Sequence, residues 1–221
     1  SFAASRSALI GSDFYNSEGI EHVARIPVLQ RSVISHTRFE RQAANKLCLK
    51  LHNLSMRSGL WTEEIYIANN LFKNGPDPNA SWCGAIAAQN TTTGQAEELR
   101  RIVFENNVID YTLGGSSSGN KQFPFGAKDS VLRNNVCLAG DRTSACLKIE
   151  NWGSGLASNV QVYNTSCFGN SAAGAFACVN MAESNKTGKC QNNLVYSTGG
   201  VGTACVGGLS SSGHVQASTN P

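Results

Sequence analysis

Apolar positions in this chain come in short bursts rather than long runs. Ile102-Val103-Phe104-Glu105-Asn106-Asn107-Val108-Ile109 is β-branched and aromatic at both ends, with an Asn-Asn pair near its middle. The same text returns at residues 67–72, 131–137 and 190–195, each with its own Asn-Asn. A weaker copy covers residues 160–166, and two degenerate copies cover 33–39 and 9–15. Aligning Asp13, Thr37, Asn70, Asn107, Asn135, Asn164 and Asn193 gives steps of 24, 33, 37, 28, 29 and 29 residues. A second strand-like unit follows each copy from the second onward, as in Leu47-Cys48-Leu49-Lys50-Leu51-His52 and Ala145-Cys146-Leu147-Lys148-Ile149-Glu150. No stretch between them has the length or 3.6-residue period of a crossover helix. Each repeat therefore predicts a strand, an Asn corner, a short strand, a variable loop and a further strand.

Repeats of roughly 20–50 residues stack on copies of themselves. A helix-free coil that stacks this way makes an all-β solenoid, here a single parallel β-helix of about seven coils. Asn suits the corner because it adopts the left-handed conformation that a sharp bend needs. Stacked at the β spacing of roughly 4.8 Å, Asn amides can also hydrogen-bond along the solenoid axis. An antiparallel sandwich with Asn-rich turns would not require the same two-strand text in every repeat. Strand alternation predicts one inward column of Leu49, Ile86, Phe125, Leu147, Val179 and Val206.

With 221 residues, the chain fits one domain, residues 1–221, with a continuous core. The net charge of +3 is too small to argue for nucleic acid. No apolar run approaches the ~20 residues of a membrane helix. Residues 210–221 read as a polar tail. No capping helix precedes Leu9, so the expectation is a segment of a longer β-helix, or an end covered by missing coils or by an oligomer partner. Of the eight cysteines, three pairs recur within consecutive repeats: Cys137 with Cys146, Cys167 with Cys178, and Cys190 with Cys205. Disulfides at these pairs imply a secreted, periplasmic or cell-surface protein. The alternative is a ladder of free thiols. Cys48 and Cys83 are left over.

With the repeat, the Asn corner and the missing helices in view, the chain resembles the right-handed parallel β-helix superfamily, the pectate-lyase-like fold, over residues 7–209. These motifs identify the architecture and leave the enzyme family unassigned. Alternation places Cys48, Lys50 and His52 outward, together with Cys146, Lys148 and Glu150. Glu21 and Arg25 from the preceding repeat, and Gln89 and Lys128 from later ones, extend the same external face. The resemblance implies an acidic polysaccharide as partner and β-elimination as the chemistry. Such lyases need a cation on the uronate carboxylate and a base for the C5 proton. The spacing of Glu21 and Arg25 is similar to a Glu-x-x-x-Arg strand of chondroitinase-B-like and alginate lyases, and Lys50 and His52 sit one coil on. The following coil has Ala87 and Gln89 where those enzymes carry an Arg-His pair. Lys50, His52 and Arg25 are thus the candidate catalytic residues. Glu21, Gln89, Lys128, Lys148 and Glu150 are candidate binding residues, and the loop residues Trp61 and Trp152 are candidates for stacking on sugar rings. A glycoside hydrolase needs two outward carboxylates in adjacent coils, and none stand there. The alternatives to a lyase are a non-catalytic segment of an adhesin or spike, or a glycoside hydrolase. No cofactor or metal is expected; loop carboxylates such as Asp77 and Asp141 are the groups calcium would use.

Overall fold

In a computed structural model, the chain is a right-handed parallel β-helix with no helix among its described residues. The structure describes residues 3–17, 19, 21–52, 61–77, 79–80, 82–87, 99–113, 121–150, 157–170, 173–181, 188–199, 202–207 and 210–217. Among the described residues every strand pairing is parallel, and each coil from Val28 to Gly207 gives one strand to each of three sheets. The first sheet begins with Ala3–Ser5 and Ala8–Ile10 against Val28–Ser35. It continues through Thr62–Ala68, Leu99–Glu105, Lys128–Arg133, Ser158–Tyr163, Lys189–Gln191 and Ser210–Ser212. The second runs from Asp13–Tyr15 and Arg38–Glu40 through Leu71–Lys73, Val108–Asp110, Val136–Ala139, Ser166–Gly169 and Leu194–Ser197 to Val215–Ala217. The third runs from Ala24–Ile26 and Leu47–Leu51 through Trp82–Ala87, Lys121–Gly126, Thr143–Ile149 and Phe176–Met181 to Gly202–Gly207. The stretch expected to be a polar tail thus carries two more strands, which open a further coil.

The corner between the first and second sheets follows from two adjacent residue types. One is held left-handed: Gly11, His36, Asn69, Asn106, Asn134, Asn164, Asn192 and Gly213 all have φ between 51° and 69°. Gly and Asn meet that requirement at least cost. The next residue turns inward and hydrogen-bonds along the axis. The Asn70 Nδ2–H donates to Asn107 Oδ1 at 3.0 Å, and the Asn107 Nδ2–H donates to Asn135 Oδ1 at 3.3 Å. Backbone N–H groups of Thr37, Asn70, Asn107 and Thr165 donate to Asn70, Asn107, Asn135 and Asn193 side chains one coil on. The ladder residue of the weak copy is therefore Thr165, not Asn164, and that of the first copy is Ser12, not Asp13. Asn164 holds the left-handed position instead.

Inside, the second sheet stacks one residue per coil: Phe14, Phe39, Phe72, Ile109, Cys137, Cys167 and Val195. The first three rings are parallel, with centroids 5.3 Å apart at each step. Phe104 and Phe123 close on Phe72 from the other two sheets at 5.7 Å and 5.2 Å. The inward third-sheet residues form two columns rather than the expected one. Ile26, Leu51, Ile86, Phe125 and Ile149 share a column. Leu49 is in register with Ala24 and Gly84, and Leu147 with Val179 and, through it, Cys205. Val206, expected inward, is 37% exposed, and Cys205 takes the inward place.

Cys137–Cys146, Cys167–Cys178 and Cys190–Cys205 are disulfides, while Cys48 and Cys83 are free and buried. The first two bridges link the second sheet to the third within a coil. The last runs from the first sheet to the third, because Cys190 shares its column with Leu132 and Val162. Cys48 and Cys146 do not face outward as alternation suggests. Both are fully buried, Cys146 bonded to Cys137 and the Cys48 thiol donating to Gln42 Oε1 at 2.9 Å. They sit where the chain bends into the third sheet, so two successive residues point inward.

Candidate functional site

Of the charged residues expected on one external face, the structure brings four together at the start of the third sheet. Arg25 and Lys50 are register partners on neighbouring strands, about one β spacing apart. Two residues beyond Lys50, the His52 backbone N–H donates to the Ile26 carbonyl at 3.1 Å, and its own carbonyl accepts from Thr62 Oγ1 at 3.1 Å. These two bonds fix His52 at the corner where the third sheet turns into the first. The Arg25 Nε–H donates to His52 Nε2 at 3.2 Å, and the Arg25 guanidinium lies 3.5 Å from the Glu21 carboxylate. Because Nε2 accepts, the neutral imidazole carries its proton on Nδ1, a buried atom with no hydrogen-bond partner among the described residues.

The electrostatics follow from burial and crowding. His52 is fully enclosed, and its pKa is pushed down to about 3, first by burial and then by the charges of Lys50, Arg25 and His22. His22 accepts from the Leu47 N–H at 3.0 Å and is lowered to about 4, again by burial first and Lys50 second. Both imidazoles are therefore neutral at pH 7, beside Arg25 and Lys50. Lys50 is only 8% exposed.

The rest of the expected face is interrupted or lies elsewhere. Register places Ala85 after Lys50, and Ala87 after His52 by extension; Pro124 separates Ala85 from Lys148. Lys148 is paired with Glu150 at 2.6 Å, so that later charge is neutralised locally. Lys128 is not on the third sheet at all. It opens a strand of the first sheet, in register with Arg100 and Ser158, because a single residue, Ala127, separates the two strands. Trp61 lies around the corner from His52; its carbonyl accepts from Gln30 Nε2, and the Arg100 guanidinium covers its ring at 4.9 Å. Gln89 and Trp152 lie outside the described residues. Asp77, one of the carboxylates considered for calcium, accepts from the Asn79 N–H at 2.8 Å within its own turn.

A feature that sequence reasoning missed adjoins the cluster. A cleft of about 430 Å³ opens between the second and third sheets of the first coil, lined by Asp13, Tyr15, Asn16, Ser17, Glu21 and His22, among others. Glu21 and His22 belong to both cleft and cluster. Tyr15 is 53% exposed at its mouth, with the Arg41 guanidinium 5.0 Å from its ring. The only signal in the sequence was an aromatic residue at an outward strand position. Compared with protein-family models, curated proteins and solved structures, the chain matches none of them.

Proposed function

We propose that this protein, a relative of the pectate-lyase-like β-helices, binds an acidic polysaccharide at the Arg25–Lys50 edge of its third sheet. The observation that carries the reading is the register pairing of two cations beside two neutral imidazoles, next to an open cleft. A uronate carboxylate seated against Arg25 would gain charge-assisted hydrogen bonds worth about 1.5–3 kcal/mol each. Tyr15 offers a ring face at the mouth of the cleft. The three disulfides point to an oxidising environment, where such polymers are met.

β-Elimination at the same cluster is the finer form of this proposal. Arg25 would neutralise the uronate carboxylate and so make the C5 proton more acidic. The burial of His52 and its low pKa favour binding over turnover, since a base with so low a pKa drives proton removal weakly. Binding should be measured against a polyuronate and a neutral polymer of similar length, with unsaturated-sugar absorbance followed in parallel. Arg25→Ala with Lys50→Ala should weaken polyuronate binding by about tenfold or more. Equal affinity for the neutral polymer, or an unchanged double variant, would overturn the reading. If absorbance develops in the parent and persists in both Lys50→Ala and His52→Ala, elimination does not run through this cluster.

A further inference from the structure

The three disulfides are not equivalent. Cys137, Cys146, Cys167, Cys178 and Cys190 are fully buried, whereas Cys205 is half-buried at the edge of the core. The Cys190–Cys205 bridge spans from the first sheet to the third, unlike the other two. Its surroundings depart from the repeat as well. In earlier coils the ladder amide donates to a main-chain carbonyl of the preceding coil: Asn70 to Ile34, Asn107 to Ile67 and Asn135 to Phe104. Asn193 instead donates its Nδ2–H to the Cys190 sulfur at 3.1 Å. At the next ladder position stands His214, with a ring nitrogen within 4.8 Å of both sulfurs. His214 is fixed there by the Asn193 N–H donating to Nδ1 at 3.2 Å and by a 2.8 Å bond between Nε2 and Ser211 Oγ.

We propose that Cys190–Cys205 is a thiol–disulfide exchange site, open to attack by a dithiol at the Cys205 sulfur. The attacking thiolate forms a bond to Cys205 Sγ, and the disulfide bond breaks. Cys190 leaves as a thiolate that accepts a hydrogen bond from the Asn193 Nδ2–H, a donor already in place at the leaving sulfur. The second thiol of the reductant then displaces Cys205, which takes up a proton. The reductant departs as a disulfide, and two electrons have passed to the protein. The first-to-third-sheet tie of this coil is then released, while the two buried bridges stay closed.

The test is graded reduction of the folded protein with dithiothreitol, with samples quenched in iodoacetamide and each cysteine located by peptide mass. Cys190 and Cys205 should alkylate together, at least about tenfold faster than the four cysteines of the other bridges, as access to the attacked sulfur requires. Conversion of Asn193 to Ala should slow the opening of this bridge relative to its parent, and a matched Asn107→Ala variant, which leaves the sulfur's donor intact, should not. Simultaneous opening of all three bridges, or earlier opening of Cys137–Cys146 or Cys167–Cys178, would overturn the proposal. So would a parent protein that reacts only after unfolding.

Discussion

At one register position of the second sheet, coils two and three carry Phe39 and Phe72, while coils five and six carry Cys137 and Cys167. The cysteine that would complete a bridge is present in all four coils. Cys48 follows Phe39 by nine residues, as Cys146 follows Cys137; Cys83 follows Phe72 by eleven, as Cys178 follows Cys167. The early coils thus hold an unpaired thiol in a position built for a disulfide and fill the partner position with a ring. Fully burying a Phe is worth about 1.5–3 kcal/mol, and closing a loop of about ten residues with a disulfide about 2–3 kcal/mol. The two solutions are close in magnitude, so the solenoid can alternate between packing and cross-linking without changing its cross-section.

The outer faces of the same regions differ in parallel. In the late coils Lys148 and Glu150 pair with each other. In the early coils Arg25 instead joins two partners, lying 3.5 Å from the Glu21 carboxylate and donating to His52 Nε2 at 3.2 Å.

Phe72→Ala should have the largest effect. The ring is fully buried among Phe39, Phe104 and Phe123, so its loss should cost about 3–5 kcal/mol in chemical denaturation. A change near zero would mean that the ring stack does not carry the early coils.

Exchanging the two solutions is the sharper test. Phe39→Cys should bridge to Cys48, giving back part of the stability lost with the ring. With Cys48 and Cys83 free, thiol titration of the denatured, unreduced parent should find two thiols. The variant should show a single one, and three would contradict the equivalence of the coils.

Asn107→Ala removes the side chain that accepts from the Asn70 backbone N–H and donates to the Ile67 carbonyl. Leaving buried donors and acceptors unpaired should cost about 1–3 kcal/mol. The same substitution at Asn164, exposed and left-handed, should cost less than at Asn107, reversing what an Asn-for-Asn alignment suggests. Equal losses would place both residues in the ladder.

The smallest effect is on acid stability. His22 has a folded pKa near 4 and an ordinary unfolded value near 6.5. Below pH 6.5 the unfolded chain therefore takes up a proton that the folded chain refuses. Stability is full above that pH and is lost as pH falls towards 4. His22→Asn should flatten this part of the profile by on the order of 1 kcal/mol, read as the difference between denaturation midpoints at pH 7 and pH 4.5. Parallel profiles for parent and variant would remove His22 from the account.

The repeat, the parallel solenoid and all three cysteine pairings were legible in the sequence, because the strand-corner-strand text returns intact in four coils. What was not legible came from places where one residue type does two jobs. Asn is suitable both for the left-handed position and for the ladder, so a copy with only one Asn, such as Asn164-Thr165, leaves the phase ambiguous by one. Lys128 was misplaced because the turn at Ala127 lacks Gly, Pro or Asn chemistry at its centre. Cys48 and Cys146 were misoriented because alternation fails at a bend; beside Cys146 the facing strands also shift register between Gln122 and Pro124. Of the site, the Arg25–Lys50–His52 group was legible from strand spacing. The burial of His52 and the cleft beside Glu21 depend on three-dimensional closure, which no spacing reports.

The central functional claim is that an anionic sugar polymer docks against Arg25 and Lys50. Its most direct test is the imidazole NMR spectrum during titration with a uronate oligomer. The chain has four histidines, and only His22 and His52 lie at this face; His36 sits at the Asn corner and His214 in the last coil. A bound carboxylate would offset the cations that depress both ring pKa values. The resonances of His22 and His52 should therefore move together in a saturable manner, while those of His36 and His214 stay in place. Saturable binding that leaves His22 and His52 unmoved would contradict the account.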